Sequence, residues 1–259
     1  MKIALLHFDL AGGPQEKNID KLCKGIKIAA QNGATYIITP EMAIQGYFMA
    51  CNSDLYEIDI LNNEYLDIFT DLAKELQVNI FLCGARRDSQ NLNDYNSCTV
   101  IEKTGKIVGV HNKNKTVGGK AEAWSTAGNV MEPIVCDNVK CGILVCADAW
   151  YDTNAYKLAL AGADIIILPA AWPPGCGGPP EMAWKRCSYT SKLPVIVCNQ
   201  TGTSNGMNCT IAQSAVVVND EIQTAYSGVE EMILICEIDL NMQERKSAVF
   251  QKLAWKSYI

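Results

Sequence analysis

Several features that assign a protein to a class at once are absent from this sequence of 259 residues. It has no run of Lys or Arg, and its formal net charge is -6, which argues against a nucleic-acid surface. Eighteen apolar residues never run together, so no membrane-spanning helix is expected. The apolar run at the N-terminus is too short for a signal peptide. We therefore expect a cytoplasmic protein without a nucleic-acid or membrane partner.

Histidine is scarce, and the cysteines form no recognisable framework. His7 and His111 are the only histidines, too few for most catalytic zinc sites. The twelve cysteines include no Cys-x-x-Cys pair, and several lie within apolar runs. Cys141 and Cys146 are five residues apart on an expected strand and should face opposite sides of it. We expect most of the cysteines to be reduced core residues, with neither a disulfide scaffold nor a metal site.

Expected strands and helices alternate along the chain, which predicts an α/β fold with helices covering a sheet. Strands are predicted at residues 2–9, 34–39, 78–84, 97–102, 106–111, 195–199, 214–218 and 232–238, and helices at residues 15–32, 63–77, 153–161 and 180–191. The Gly- and Pro-rich segment 173–180 is expected to be a loop near a site, because the alternation continues on both sides of it.

One segment returns later in the chain. Residues 33–43, Gly-Ala-Thr-Tyr-Ile-Ile-Thr-Pro-Glu-Met-Ala, resemble residues 162–172, Gly-Ala-Asp-Ile-Ile-Ile-Leu-Pro-Ala-Ala-Trp, and an expected helix precedes each copy. The repeat predicts two similar α/β halves packed as one domain, although chance similarity between two buried strands is an alternative. Glu41 and Ala170 would then lie at equivalent strand ends, where open α/β sheets place ligands.

Cys146 is the candidate nucleophile. It ends the apolar run of Lys-Cys-Gly-Ile-Leu-Val-Cys-Ala-Asp-Ala-Trp at residues 140–150, and a helical pattern follows. A cysteine at such a corner lies near the positive end of a helix dipole, which favours the reactive thiolate. The alternative is a small buried hydrophobic residue, as most cysteines on strands are.

A thiolate needs a base and donors for the oxyanion that forms when it attacks a carbonyl or nitrile carbon. Neither histidine has a loop setting, so Glu41 is the better candidate base, with a loop or helix-start carboxylate as the alternative. Lys113 and Lys115 follow an expected strand and would share a face if it continued. Either lysine could face the oxyanion and help to keep Cys146 ionised, or simply be a solvated strand-end residue.

These residues carry a resemblance to a known family. Pro-Glu-Met-Ala-Ile-Gln-Gly-Tyr around Glu41, Gly-Lys-Ile-Val-Gly-Val-His-Asn-Lys ending at Lys113, and Gly-Ile-Leu-Val-Cys-Ala-Asp-Ala-Trp around Cys146 resemble the three motifs of the nitrilase, or carbon-nitrogen hydrolase, superfamily. The resemblance extends over nearly the whole chain and implies one domain at residues 1–259. It implies a four-layer α-β-β-α sandwich with two pseudo-symmetric halves and assembly as a homodimer or higher homo-oligomer.

The resemblance also implies a role for each site residue. Cys146 would be the nucleophile, Glu41 the general base and Lys113 the stabiliser of the tetrahedral intermediate, together with the backbone N–H of Ala147. Glu122 would position the lysine or the substrate's amine. The pocket would be lined by Tyr47 and Trp172. No metal or organic cofactor is expected.

Two departures from the family pattern refine the expected substrate. Lys115 stands where many members have His, so it competes with Lys113, although the spacing after Gly109 favours Lys113. The Cys-Ala-Asp-Ala-Trp motif is closer to amidase-type members than to true nitrilases. The expected substrate is therefore a small amide, of the ω-amidase, aliphatic amidase or N-carbamoyl amine type, with a nitrile as the alternative. Asp148 is expected to cap the following helix in addition to any role at the site.

Two rival functions are weighed against this one. Gly202-Thr203-Ser204-Asn205-Gly206 matches the nucleophile elbow of serine α/β-hydrolases, but no His follows it and the next segment is expected to be extended. A catalytically silent protein of the same fold, binding a metabolite or a partner chain, would be favoured if Glu41, Lys113 or Cys146 were missing. The loops at residues 50–62 and 173–180 are expected to shape the pocket, and they show no clear charge pattern for a particular substrate.

Overall fold

A computed structural model describes residues 1–47, 64–117, 122–175, 178–204, 207–240 and 248–259. The helices are α1 (Gln15–Gln31), α2 (Glu64–Leu76), α3 (Asp152–Leu160) and α4 (Pro180–Ser191), with 3₁₀ helices at Cys146–Trp150 and Trp255–Ser257. The strands are β1 (Lys2–His7), β2 (Tyr36–Ile38), β3 (Asn79–Arg87), β4 (Asp94–Ile101), β5 (Ile107–Asn112), β6 (Ile134–Cys136), β7 (Val139–Ile143), β8 (Ile165–Pro169), β9 (Val195–Cys198), β10 (Thr203–Ser204), β11 (Met207–Asn208), β12 (Gln213–Val218), β13 (Glu221–Ser227), β14 (Met232–Glu237) and β15 (Gln251–Ala254).

Two mixed sheets form the centre of the fold. The first has seven strands in the order β15-β14-β1-β2-β3-β4-β5, and the second has six in the order β13-β12-β9-β8-β7-β6. In each sheet the three middle strands are parallel, and antiparallel strands flank them. The parallel strands are largely apolar in their central residues because both of their faces are buried there.

The alternation of side chains along β1 shows how the layers are arranged. Ile3 and Leu5 lie in one buried cluster with residues of the second sheet, whereas Ala4 and Leu6 lie in another with Leu22 of α1. Successive side chains of a strand point to opposite faces, so one face of the first sheet contacts the second sheet and the other contacts α1 and α2. On the second sheet α3 and α4 take the outer position, which confirms the expected α-β-β-α sandwich.

The internal repeat in the sequence corresponds to two sets of strands with the same order and the same pairing register. Ile37 of β2 pairs with Ala4 and Ile80, and Ile166 of β8 pairs with Gly142 and Val195. The strands β14-β1-β2-β3-β4-β5 of one sheet thus correspond in order to β6-β7-β8-β9-β12-β13 of the other. The two pseudo-symmetric halves predicted from the sequence are present.

The predicted elements are found with small shifts of their ends, and the sequence analysis missed several short strands. β3 and β4 extend further toward their shared turn than predicted, to Arg87 and from Asp94. The strands β6, β13 and β15 were not predicted. The expectation that Cys141 and Cys146 share a strand is wrong, because β7 ends at Ile143. None of the helices in the described ranges is long and apolar enough to cross a membrane.

His7 makes the fold sensitive to acid. It is fully buried on β1, with its Nδ1 2.9 Å from the Ser214 hydroxyl, and its ring meets that of Tyr226 edge-on. Burial lowers the pKa of His7 from 6.5 to about 4, against the opposing effect of hydrogen bonds to the backbone of Asn199 and Gly228. The folded state therefore holds this ring neutral at pH values where the unfolded chain binds a proton.

We expect protonation of His7 in the unfolded chain to lower the free energy of unfolding by about 3 kcal/mol as the pH falls from 6.5 to 4. The contribution is complete above pH 6.5 and is lost as the pH falls toward 4, because only the unfolded state gains the proton in that interval. Urea unfolding of the wild type and of His7→Asn, which keeps a polar group near Ser214, measures it. Parallel pH dependences for the two proteins would contradict the prediction.

Candidate active site

The ends of three strands from both sheets bring the candidate residues together. Glu41 lies three residues after β2, Lys113 directly follows β5, and Cys146 opens the 3₁₀ helix after β7. The backbone N–H of Glu41 donates to the carbonyl of Ala170, its counterpart in the repeat, so the two sheets touch at this point. All three side chains are buried. The structure places the predicted nucleophile, base and lysine in one site.

Lys113 lies between two carboxylates. Its Nζ donates to Glu41 Oε1 at 2.7 Å and to Glu122 Oε1 at 2.6 Å, and none of these side chains is exposed. The backbone N–H of Ala171 donates to Glu41 Oε2 at 2.9 Å, and that of Val117 donates to Glu122 Oε2. Buried charges persist only when they are paired and hydrogen-bonded, and this group meets that condition.

The charges of this group perturb one another's proton equilibria. Burial acts to lower the pKa of Lys113, but the negative charges around it, above all that of Glu41, exceed this effect and raise the pKa well above its ordinary value. Burial also raises the pKa of Glu122, although Lys113 opposes the change. The lysine is therefore held as an ammonium ion, able to stabilise a negative charge that develops beside it.

Cys146 has the backbone of a constrained nucleophile. Its φ of 47° lies in the left-handed region, which a residue with a β-carbon adopts at a cost of order 1–3 kcal/mol. The chain leaves β7 in an extended conformation at Val145 and turns abruptly into the 3₁₀ helix. The turn places the thiol close enough to Glu41 for that carboxylate to raise the pKa of the sulfur.

The expectation that the helix dipole favours the thiolate is wrong. Burial raises the pKa of the Cys146 thiol well above its ordinary value, and the negative charge of Glu41 and the thiol's hydrogen bond to it act in the same direction. Lys113 opposes these effects without overcoming them. The helix after Cys146 is a 3₁₀ helix of only five residues, too short to outweigh burial beside a carboxylate. The resting site thus pairs a neutral thiol with a base that can remove its proton.

Asp148 joins the cysteine turn to the lysine loop. Its Oδ2 accepts from the N–H of Val145 at 3.0 Å and lies 3.0 Å from His111 Nε2, and its Oδ1 accepts from the N–H groups of Asn114 and Lys115. The prediction that Asp148 caps α3 is wrong, since Tyr151 holds that position without a side-chain bond. A buried carboxylate with four partners instead connects the segment after β5 to the segment after β7.

The same geometry distinguishes the two candidate lysines. The two-residue spacing allowed Lys113 and Lys115 to lie on one face of a longer strand. β5 ends at Asn112, so they do not share a strand face. Lys113 enters the site, whereas Lys115 is exposed and its Nζ lies 5.6 Å from the ring centroid of Tyr151. Among the two, only Lys113 is in position to contact the reacting atoms.

Asn96 belongs to the site although the sequence analysis gave it no role. Its Nδ2 donates to Glu41 Oε1 and to Glu122 Oε1, both at 2.8 Å, and its carbonyl accepts from the N–H of Lys113 at 2.8 Å. The pairing of Ser97 with Asn112 in the β4–β5 hairpin is the signal that could have found it. That register places Asn96 directly opposite Lys113.

The expected pocket residues border this group to different extents. Tyr47 packs with Met42, Ala85 and Ala171, and burial raises the pKa of its hydroxyl. Trp172 is fixed by Asn199, whose Oδ1 accepts from its N–H at 3.0 Å, and its ring lies 4.9 Å from that of Trp150. Ala147 is the second residue of the 3₁₀ helix. The loop at residues 50–62, and residues 176 and 177 of the segment 173–180, lie outside the described residues.

The rival serine elbow lacks the local structure it needs. Thr203 and Ser204 form β10, which pairs with β11, and the next described elements are the strands β11 and β12 where the elbow needs a helix. Residues 205 and 206 lie outside that part. Over the same described residues no group of three His, Cys, Asp or Glu side chains is arranged to hold a metal ion.

The arrangement has the parts of an acyl-transfer site. A thiol lies near a carboxylate that can accept its proton, and an ammonium group donates a hydrogen bond to the same carboxylate. An oxyanion formed by attack of the sulfur on a carbonyl carbon would develop beside a fixed positive charge. The geometry therefore suits covalent catalysis on a carbonyl or nitrile carbon.

Comparison with known proteins supports this interpretation. The carbon-nitrogen hydrolase family matches residues 11–246, a range that includes every candidate site residue. A nitrilase of Pyrococcus abyssi is 26% identical over 235 residues, covering 89% of this chain and 87% of the relative. Citrullinase of Francisella tularensis is 26% identical over 246 residues, covering 88% and 79%. The crystal structure of an amidase from Nesterenkonia sp. superposes with a TM-score of 0.81 at 18% identity, covering 95% of this chain and 93% of that one.

Proposed function

This chain belongs to the carbon-nitrogen hydrolase family of the nitrilase superfamily, and from that premise we propose that it hydrolyses a small amide through a thioester on Cys146. One observation carries the proposal. Cys146, Glu41 and Lys113 are buried beside one another, and Glu41 shares an ion pair with Lys113. The proposed roles are nucleophile for Cys146, general base for Glu41 and oxyanion stabiliser for Lys113.

The first half of the proposed reaction forms the acyl-enzyme. Glu41 takes the thiol proton as the sulfur attacks the carbonyl carbon, so no free thiolate has to exist in a site that disfavours it. The oxyanion of the tetrahedral intermediate is stabilised by the Lys113 ammonium, together with the N–H of Ala147. The carbon–nitrogen bond then breaks, Glu41 returns the proton to the nitrogen, and ammonia or an amine leaves.

The second half releases the acid. Glu41 removes a proton from a water molecule, whose oxygen attacks the thioester carbon and passes through a second oxyanion at the same position. The carbon–sulfur bond breaks, and the proton held by Glu41 restores the thiol. The net reaction consumes one amide and one water and yields one carboxylic acid and ammonia or an amine. Glu122 is proposed to hold Lys113 in place throughout.

The substrate class rests on the sequence around Cys146. Cys-Ala-Asp-Ala-Trp resembles the amidase-type motif more closely than that of the true nitrilases, and one of the structural neighbours is an amidase. We propose an amide of the ω-amidase, aliphatic amidase or N-carbamoyl amine type. The likeness to a citrullinase supports adding ureas to the compounds tested, and the likeness to a nitrilase supports adding nitriles.

Acid-quenched reactions with small amides, ureas and nitriles test the proposal. Ammonia release is followed, and peptides containing Cys146 are weighed by mass spectrometry. We expect an acylated Cys146 peptide with an amide. A nitrile would instead give a thioimidate, lighter by the difference between an oxygen and an NH group. Ammonia release accompanied by an adduct on another residue would contradict the proposed role of Cys146. No release and no adduct with any compound would favour a catalytically silent binding protein.

Three further expectations stay predictions. They are the organisation of residues 1–259 as one domain, assembly as a homodimer or higher homo-oligomer, and a cytoplasmic location. Sedimentation equilibrium of the full chain checks the second of these.

A further inference from the structure

Asn96 is the residue to which three members of the site are attached. Its side chain donates to Glu41 and Glu122, and its main-chain carbonyl accepts from the N–H of Lys113. Asn96 is itself buried on β4, where its pairing with Ala85 of β3 fixes its backbone. The sheet therefore fixes the backbone from which the amide reaches the two carboxylates.

The four polar groups form a closed ring of hydrogen bonds. Glu41 Oε1 and Glu122 Oε1 each accept one bond from Lys113 Nζ and one from Asn96 Nδ2, with all four distances between 2.6 and 2.8 Å. Both hydrogens of Nδ2 are used in this ring. Two hydrogens of the ammonium group are used as well, which leaves the third for an oxyanion.

The charges explain why a neutral donor is needed there. Two carboxylates with one ammonium between them have a net negative charge, and carboxylates that share a site disfavour each other's ionisation. A second cation would remove the excess negative charge, but it would also weaken the base. An amide donates to both carboxylates without changing the total charge, and hydrogen bonds to an ionised carboxylate favour the ionised form.

We propose that Asn96 is a positioning residue that keeps Glu41 and Glu122 ionised and aligned with Lys113. This proposal rests on the proposed function only where it predicts an effect of Asn96 on substrate turnover. The effect on Cys146 requires no substrate, since Glu41 must be unprotonated to accept the thiol proton. Asn96 thus donates to the form of Glu41 that can accept the thiol proton.

The test compares Asn96→Ala and Asn96→Asp with Asn79→Asp, a buried asparagine of β3 that bonds to Thr35 and Lys103 away from the site. The rate of alkylation of Cys146 by iodoacetamide is measured from pH 5 to 9 and assigned by peptide mass. This range covers about two pH units on either side of neutrality and lies above the ordinary pKa of a carboxyl group, so an acid limb that moves upward enters it. Circular dichroism at each pH establishes that the variants are folded.

Asn96→Ala is expected to move the acid limb of the alkylation profile upward by about one pH unit, because each carboxylate loses a donor to its ionised form. In Asn96→Asp, alkylation of Cys146 is expected to be fastest at the acid end of the pH range. The new carboxyl group can donate a hydrogen bond only when it carries a proton. Asn79→Asp is expected to keep the wild-type profile. With an amide that the wild type hydrolyses, kcat of Asn96→Ala should fall about 10- to 100-fold.

The outcomes separate the two proposals. A merely structural role for Asn96 would lower the alkylation rate by the same factor at every pH, and an unshifted profile in a folded Asn96→Ala variant overturns the inference. If Asn96→Ala does not fold, an Asn96→Asp profile parallel to the wild type overturns it equally. Shifted profiles in a protein that hydrolyses none of the amides would support the role of Asn96 while contradicting the proposed function.

Discussion

Replacement of Cys146 by alanine is expected to lower kcat/KM for any amide substrate by about 10⁴-fold or more, because the covalent route is lost entirely. The remaining site would still bind substrate and present Lys113 to the carbonyl oxygen, but no group would attack the carbon. Initial rates of ammonia release at substrate concentrations well below KM measure the effect. The fold should persist, since alanine occupies less space than cysteine and the left-handed φ of 47° is equally accessible to it.

Cys187→Ala is the matched control for this variant. Cys187 is also buried, on α4, and its thiol donates at 3.4 Å to the carbonyl of Ala149, within the 3₁₀ helix that Cys146 opens. If loss of any thiol near this turn impaired the enzyme, both variants would be inactive. We expect Cys187→Ala to keep activity within a few-fold of the wild type. Comparable ammonia release from Cys146→Ala and the wild type would contradict the assignment of the nucleophile.

Lys113→Met is expected to reduce kcat by about 10³-fold and also to destabilise the protein by about 3–5 kcal/mol at neutral pH. Methionine fills a similar volume but has no charge, so Glu41 and Glu122 would be buried together without a counter-ion. The substitution has two consequences. The oxyanion loses its stabilising charge, and the two carboxylates repel each other in the folded state. Steady-state kinetics and urea unfolding measure them separately.

The stability loss in Lys113→Met has an expected pH dependence with a definite sign. Burial already raises the pKa of Glu122, and removal of the ammonium raises it further, so the folded variant binds a proton more readily than the unfolded chain. A group whose pKa is raised by folding stabilises the folded state at low pH and loses that effect as the pH rises. The difference in unfolding free energy from the wild type should therefore shrink on acidification.

Lys115→Met is the control for the second prediction. It removes the same charge two residues away, from an exposed side chain. We expect an unfolding free energy within about 0.5 kcal/mol of the wild type and nearly unchanged kcat. A large loss of activity in Lys115→Met with little loss in Lys113→Met would reverse the assignment of the two lysines.

The sequence predicted the parts of the site that depend on short segments. Each of the three motifs is a strand end with one polar residue, and the apolar periodicity that identifies the strand also locates that residue. The repeat around Glu41 and Ala170 was visible for the same reason, since a buried strand between a Gly-Ala turn and a Pro is a local pattern. The three strand ends and the two similar halves could therefore be predicted from the residues, whereas the four-layer sandwich was implied by the resemblance to the family.

Properties that depend on distant segments could not be predicted. The pKa of the Cys146 thiol is raised by burial and by Glu41, a residue from the other sheet, so the local helix gave the wrong direction. Asp148 was expected to cap a helix because its sequence neighbours begin one, yet its partners come from the loop after β5. The sequence assigned no role to Asn96 because an asparagine inside a strand has no local signature of the carboxylates it contacts.

The registers of the two halves allow the site to be compared with its counterpart in the repeat. The pairing of Ala4 with Ile37 and of Gly142 with Ile166 makes Phe8 the equivalent of Cys146, and Ala170 is the equivalent of Glu41. One half thus carries the carboxylate and the other the thiol, while each has an apolar residue where its partner is reactive. The fold contains the same structural unit twice, yet neither copy has a second reactive residue that could replace the one in the other copy. The symmetry gives the molecule two similar frameworks without duplicating the reactive groups, so a single substitution in either half is expected to disable the site that the two halves share.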